Sequence, residues 1–387
     1  MNKGSSGFSA GRASYTSIAI DGSGTPYVVY ADVPIDSDYG PATVMKYDGT
    51  GWVTVGSAGF SPGLARFTSI AIDSSGTPYI VYVNSGDILS GLASVMKYNG
   101  SNWVSVGSPG LSVSGTLYTS IAIDRSGTPY VAYEDFSLGF GPNGPATVMK
   151  YNGTSWEPVG SPGFSVGVAY NTSIAIDGNG TPYVAYVDTI NGFKATVMKY
   201  NGTSWATVGS AGFSEREAEW TSIAIDKSGT PYVVYADGNI FVDSAKATVK
   251  KFNGSSWVTV GSARFSASSA ELTSIALDGS GTPYVVYADG ADTGKATVMK
   301  FEGASGINET NTNTDIQIYP NPLSTTVHIK APVGVNVTIL NMVGQVELQQ
   351  QNVTDINMSG MADGVYIIKV YDENNGVLKT EKLVKAE

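Results

Sequence analysis

The sequence predicts an all-β protein: six repeated antiparallel sheets around one axis, then a small sandwich of strands. Three observations carry this. First, the segment Thr-Ser-Ile-Ala-[Ile/Leu]-Asp begins at Thr16, Thr68, Thr119, Thr172, Thr221 and Thr273, at intervals of 49 to 53 residues. A period near 50 with strand-like content marks a β-propeller with one blade per repeat. Second, 47 Gly and 23 Tyr with only 14% charged residues favour short strands and tight turns over long amphipathic helices. Third, the period breaks after residue 301 and a different run of short strands follows. The expected organisation is a six-bladed β-propeller over 1–301, a polar linker over 302–314 and a small Ig-like β-sandwich over 315–387.

Each repeat reads as four strands. The first is Thr16–Asp21, with Ile18 and Ile20 on one face and Ser17 and Ala19 on the other. The turn Asp-Gly-Ser-Gly-Thr follows, where Asp21 bonds nearby backbone N–H groups and Gly24 takes positive φ. Pro26 suits the first residue of the second strand, Tyr-Val-Val-Tyr-Ala-Asp. After a variable loop, Ala-Thr-Val-Met-Lys-Tyr is the third. An Asn-Gly or Asp-Gly turn leads to the fourth, which starts at Trp52 in the first unit. Stacked blades cover their inner strands on both faces, so the second and third strands are apolar almost throughout. The small residues Ala19, Ala71, Ala122, Ala175, Ala224 and Ala276 belong in the innermost strand, where blades crowd the axis.

Six first, second and third strands are present, but only five Trp-led fourth strands, at Trp52, Trp103, Trp156, Trp205 and Trp257. The opening Gly4-Ser5-Ser6-Gly7-Phe8 matches Gly56-Ser57-Ala58-Gly59-Phe60, which follows a fourth strand. The expectation is that a strand ahead of Gly4 closes the last blade in the natural protein, with a secretory signal before it; a seventh blade there stays open.

Several function classes are excluded. A net charge of −11 provides no basic footprint for nucleic acid. Without cysteine there is no disulfide, thiol nucleophile or thiolate metal site. The one histidine, His328, lies outside the repeats and reads as a strand residue, so no histidine base or metal cluster exists in the propeller. No apolar run reaches the ~20 residues of a membrane span. Neither cofactor nor metal is expected: Asp177–Thr181 lacks the further ligands of a calcium loop, and Asp36–Asp38 reads as solvated loop. The chain is expected to be a monomer.

The turns after the first and third strands barely change between units. The other two connections vary greatly, and in an up-and-down sheet they share one end. Binding residues favour varied loops on a rigid scaffold. Three rings of residues gather there: Tyr15, Phe67, Tyr118, Asn171, Trp220 and Leu272 before each Thr-Ser; Ser14, Arg66, Leu117, Tyr170, Glu219 and Glu271 one position earlier; and Asp32, Asn84, Asp135, Asp188, Asp237 and Asp289 at the ends of the second strands. From these, Tyr15, Arg66, Phe67, Tyr118, Tyr170, Glu219, Trp220, Glu271, Asp32, Asp135, Asp188, Asp237 and Asp289 are the candidate ligand-binding residues. Aromatic faces and carboxylates in this arrangement suit sugar rings. The competing reading is that the aromatics plug the channel and the aspartates cap strand ends. No catalytic residue is singled out.

The repeat rhythm resembles NHL-type propellers. Its turn, Ala19-Ile20-Asp21-Gly22-Ser23-Gly24-Thr25-Pro26-Tyr27, is similar to the Asp-box of sialidase propellers, one residue longer and with Tyr for Trp. The C-terminal segment reads as about seven short strands. It resembles the type A sorting domain of the type IX secretion system through Tyr319-Pro320-Asn321-Pro322, Gly344-Gln345, Met361, Gly364-Val365-Tyr366 and Lys382-Leu383-Val384-Lys385. The resemblance implies passage across both membranes of a Gram-negative cell, with the secretion machinery as partner of 315–387. The leading expectation is therefore a secreted or cell-surface propeller that binds glycan or another surface polymer. The alternatives are an exported carbohydrate-active enzyme using loop carboxylates and a purely structural or adhesive surface protein.

Overall fold

A computed structural model describes residues 8–34, 40–84, 90–108, 110–138, 143–239, 244–292, 294–301, 316–331, 335–341, 345–372 and 377–386. The linker expected over 302–314, the Asp36–Asp38 loop and Gly344 lie outside them. The chain forms two compact units, 1–301 and 302–387.

Among the described residues, unit 1 is six antiparallel sheets, five of four strands and one of three. Blade 1 comprises Arg12–Ile20, Pro26–Val33, Ala42–Tyr47 and Trp52–Thr54, paired in that order. Blades 2 to 5 repeat it from Ala65, Thr116, Ala169 and Ala218. Blade 6 has Ala270–Leu277, Pro283–Asp289 and Lys295–Lys300. The turn chemistry is local. Asp21 Oδ1 accepts the N–H groups of Ser23 and Thr25, each at 2.9 Å, and the Ser23 hydroxyl at 2.6 Å. That hydroxyl, with the backbone donors, holds the Asp21 carboxyl below its ordinary range. Gly24 then reverses the chain at φ 88°.

Two elements differ from the sequence reading. The fourth strands keep only three residues. The first strands extend back into the variable lead-in, through a bulge that shifts the register between Ser14 and Ser17 and at the same place in the later blades.

The core lies between blades. From blade 1 to blade 5, a valine of the third strand shares one buried cluster with an isoleucine of the next blade's first strand: Val44 with Ile70, Val95 with Ile121, Val148 with Ile174, Val197 with Ile223 and Val249 with Ile275. Fully burying such a side chain contributes roughly 1.5–3 kcal/mol. Because both faces of a blade are covered this way, every residue of Pro182–Asp188 is buried. In blades 2 to 6 the threonine of the repeated Thr-Ser donates its hydroxyl to a main-chain carbonyl of the preceding blade, as Thr119 does to Phe67 and Thr172 to Tyr118, both at 2.5 Å. Thr68, Thr221 and Thr273 do likewise to Tyr15, Asn171 and Trp220. These bonds join the first strands of consecutive blades from blade 1 to blade 6.

Five third-strand lysines, Lys46, Lys97, Lys199, Lys251 and Lys300, sit above a tyrosine of their own blade: Lys46 Nζ is 5.9 Å from the Tyr27 ring and Lys97 Nζ 5.8 Å from that of Tyr79. The pairs are register partners on adjacent strands, which places a cation over a ring at no cost in burial.

Among the described residues, unit 2 is a seven-stranded sandwich. Gln317–Tyr319, Thr326–Lys330 and Asp355–Asn357 form one sheet; Val335–Asn341, Val346–Val353, Gly364–Tyr371 and Val377–Lys385 form the other. Val327, Val337, Ile339, Ile356, Ile368 and Leu383 fill the space between them.

Candidate functional site

In blade 1, Arg12 pairs with Val33 and Ile20 with Pro26. The start of each first strand therefore lies beside the end of the second, and the two variable connections share one end of the blade. The constant turns take the other.

At the variable end the chain makes its bulge. Tyr15, Phe67, Tyr118, Asn171, Trp220 and Leu272 all have left-handed backbone, with φ between 48° and 53°. This conformation is uncommon for bulky residues and persists only where surrounding structure enforces it. Here it points five of the six carbonyls at the threonine hydroxyl of the next blade. Neighbouring rings at this end touch: Tyr15 on Phe67 at 4.9 Å, Phe67 on Tyr118 at 5.1 Å and Tyr118 on Tyr170 at 6.2 Å between centroids.

The aspartate ring turns inward. Asp135 accepts Ser137 N–H at 3.0 Å and the Thr147 hydroxyl at 2.9 Å. Asp188 accepts the Thr196 hydroxyl at 2.9 Å, and Asp237 and Asp289 accept those of Thr248 and Thr297. These four are buried and cap their own strands, whereas Asp32 is half-buried. Arg66 is buried too, while Glu271 is exposed.

What the fold brings together is narrower than the sequence-predicted rim. A cavity of about 230 Å³ is lined by Tyr118, Tyr170, Asn171, Val187, Phe193, Glu217, Ala218 and Glu219. Tyr170 and Phe193 lie nearly parallel, 8° apart with centroids at 6.5 Å. The Tyr170 hydroxyl donates to Asn143 Oδ1 at 3.2 Å, and Asn171 Oδ1 accepts Trp220 N–H at 3.1 Å. Glu217 accepts from the Asn239 amide.

Sequence reasoning missed Phe193 and Glu217, which come from the variable connections, and also Glu134. Glu134 is fully buried on the second strand of blade 3, where the other blades carry Ala31, Val83, Val187, Ala236 and Ala288. That break in an apolar column is the signal that marks it. Its Oε1 accepts Gly144 N–H at 3.0 Å, while Oε2 is buried without a hydrogen-bond partner. Burial pushes its carboxyl up to about 8. Burial, then the nearby Glu134 charge, pushes the Tyr118 phenol up to about 12. Tyr118 therefore stays protonated and acts as a donor, which disfavours it as an activated nucleophile. Together the pocket offers two roughly parallel rings, a donor phenol and two carboxylate side chains. Among the described residues no cluster of three or more His, Cys, Asp or Glu fits a metal ion, and no helix is long and apolar enough to cross a membrane.

In unit 2 the separated motif residues meet. Asn321 Oδ1 accepts Val384 N–H at 2.9 Å, its amide donates to the Lys382 carbonyl, and Leu323 N–H donates to Val384 O at 2.8 Å. Pro320 and Pro322 each follow a cis peptide bond. Lys385 Nζ pairs with Asp363 at 2.8 Å, and the Tyr366 hydroxyl donates to Ala362 O at 2.7 Å. Gly364 opens the strand that pairs with Lys385. Tyr319 lies against His328, whose Nδ1 bonds Asp355 and holds that carboxyl below its ordinary range.

Comparison with known proteins bears on both units. No curated protein matches the chain. Among solved structures, the alpha-L-arabinanase of Penicillium chrysogenum complexed with arabinobiose is similar over 77% of this chain and 96% of that one, at 11% identity and a TM-score of 0.52. The alpha-L-arabinofuranosidase of Fusarium graminearum with arabinobiose covers 77% and 94% at 12% identity and TM-score 0.49. The Aleuria aurantia lectin in complex with Fucalpha1-6GlcNAc covers 76% and 96% at 13% and 0.45. At such identity the likeness to the arabinanase concerns the fold alone: a β-propeller. Residues 317–386 match the secretion system C-terminal sorting domain, so this is a β-propeller protein that carries the export signal of the type IX secretion system.

Proposed function

We propose that this exported propeller binds saccharide at the variable end of its blades, in the pocket between Tyr118, Tyr170, Phe193, Glu217 and Glu219. The observation that carries the reading is the Tyr170–Phe193 pair, 8° from parallel and beside two glutamates. Ring faces pack against sugar C–H groups, and carboxylates accept hydroxyls. Export to the cell surface or beyond supports this reading, as does the arabinobiose complex of the arabinanase that shares the fold. The buried aspartates serve as strand caps in this reading.

The test is an oligosaccharide array probed with the full chain and with a Tyr170→Ala/Phe193→Ala double variant. The variant is expected to lose at least tenfold in affinity while keeping its melting temperature within a few degrees. Equal binding by both chains rejects the pocket.

A second reading, a glycoside hydrolase, is favoured by the two loop carboxylates, Glu217 and Glu219, that line the pocket. Release of reducing ends by the chain, abolished in Glu219→Gln, is the outcome that reading requires.

A further inference from the structure

We infer that the saccharide of the variable-end pocket is an amino sugar with a free, positively charged amine, its ammonium seated among Tyr118, Tyr170, Phe193, Glu217 and Glu219. The inference rests on the saccharide reading of that pocket and goes beyond it by fixing the charge of the ligand.

The aromatic walls come first. Tyr170 and Phe193 lie 8° from parallel with centroids 6.5 Å apart, and Tyr118 stands at 78° to Tyr170 at 6.2 Å. Three rings therefore form two adjoining walls of one cavity. Phe193 adds a bare ring without a polar atom and is 47% exposed. The face of an aromatic ring carries negative charge density and attracts a cation within about 6 Å of its centroid.

The charges point the same way. Glu217 and Glu219 flank Ala218, which opens the first strand of blade 5. Alternate residues of a strand share a face, so both carboxyls reach the same cavity. No other blade carries a carboxyl at both positions; blade 2 has Leu64 and Arg66 there, and blade 4 has Val168 and Tyr170. The scaffold therefore does not require the pair. No lysine or arginine is among the described lining residues. Lys194 and Arg216, the basic residues next to Phe193 and Glu217 in sequence, are outside the lining. With a net charge of −11, the whole chain adds to the negative potential. An acidic sugar would bring a further negative charge into this lining, and like-charge contacts are unfavourable.

The hydrogen bonds agree. Two donors of the lining are committed within the protein: the Tyr170 hydroxyl to Asn143 Oδ1 at 3.2 Å and Ala218 N–H to Phe193 O at 2.8 Å. The glutamates add acceptors only. An ammonium has three donors and no acceptor, and it supplies the positive charge that a sugar hydroxyl lacks.

The test is calorimetric titration of the full chain with matched oligosaccharides on gluco and galacto skeletons. Each carries an amine, a hydroxyl or an acetamide at one ring carbon of a single unit. The amine form is expected to bind about tenfold or more tighter than either neutral form at low salt, and the preference to shrink as salt is raised. In Glu217→Gln/Glu219→Gln most of the preference is expected to vanish, while the hydroxyl form binds within about twofold of the parent chain. Equal binding of amine and hydroxyl forms overturns the amino-sugar inference and leaves the saccharide reading standing. Binding of none of the three overturns the inference, and the oligosaccharide array then judges the saccharide reading separately. A preference retained in the glutamine variant removes the ammonium from this pocket. If that variant does not fold, an unchanged preference in Tyr170→Ala/Phe193→Ala does the same. A lysine tripeptide that competes as well as the amino sugar assigns the pocket to a peptide ammonium and overturns the inference.

Discussion

Glu134 shows how one residue alters a repeated scaffold. Its column is alanine or valine in every other blade, and the fold offers this carboxyl a single backbone donor. The sign of its effect on stability follows from linkage. Its folded pKa, about 8, lies above the ordinary 4.5, so the folded state holds a proton that the unfolded chain releases. Below pH 4.5 both states are protonated and the site costs nothing; the penalty grows as pH rises from 4.5 and is complete above 8. Glu134→Gln keeps the acceptor for Gly144 and removes the titration. The variant is expected to melt at the wild-type temperature at pH 4.5 and several degrees higher at pH 8.5, by calorimetry. Equal melting temperatures at both pH values reject a buried, titrating carboxyl. The left-handed residues make a related point: no local residue preference announces Tyr118 or Trp220 at positive φ, because the conformation is imposed by the carbonyl that the next blade requires.

At the level of strands, much was legible. The Asp-x-Ser-Gly-Thr-Pro turn, the proline at the head of each second strand and the limits of Ala42–Tyr47 follow from local chemistry, since Asx bonding, fixed proline φ and glycine freedom act within a few residues. The bulge and the three-residue fourth strand were not legible, because contacts about 50 residues away set them. Those contacts carry a testable energy. In Thr172→Val the hydroxyl that reaches Tyr118 O across the blade junction is lost, leaving a partly enclosed carbonyl without its donor. The expected loss is about 1–2 kcal/mol in denaturant unfolding. The equivalent change at Thr273, whose hydroxyl reaches Trp220 O two junctions further on, should add to it, the two sites sharing no strand. A loss below ~0.3 kcal/mol means that packing alone fixes the junction. The candidate pocket divides the same way. The aromatic and acidic rim was readable from the variable connections, but burial of Asp135, Asp188, Asp237 and Asp289 came from third-strand threonines, and Phe193 and Glu217 joined the pocket only through the curvature of adjacent blades.

On the scale of the molecule, two units with separate cores predict separable behaviour. A chain ending at residue 301 is expected to keep its far-ultraviolet circular dichroism and a cooperative melt. When given an inner-membrane signal, it should accumulate in the periplasm of a type IX-competent host; delivery to the surface without 302–387 would refute export by the sorting domain. Several things were present in the amino-acid order alone: the six repeats, the all-β architecture, the division between constant and variable ends, and the sorting motifs. Each is encoded by residues close together along the chain or by their recurrence. Coordinates were needed to join Asn321 to Val384, to bury Glu134 beside Tyr118, and to leave Ile18 and Val298 uncovered. Those outcomes depend on which surfaces meet after the backbone has curved round, and a one-dimensional pattern does not carry distances between blades.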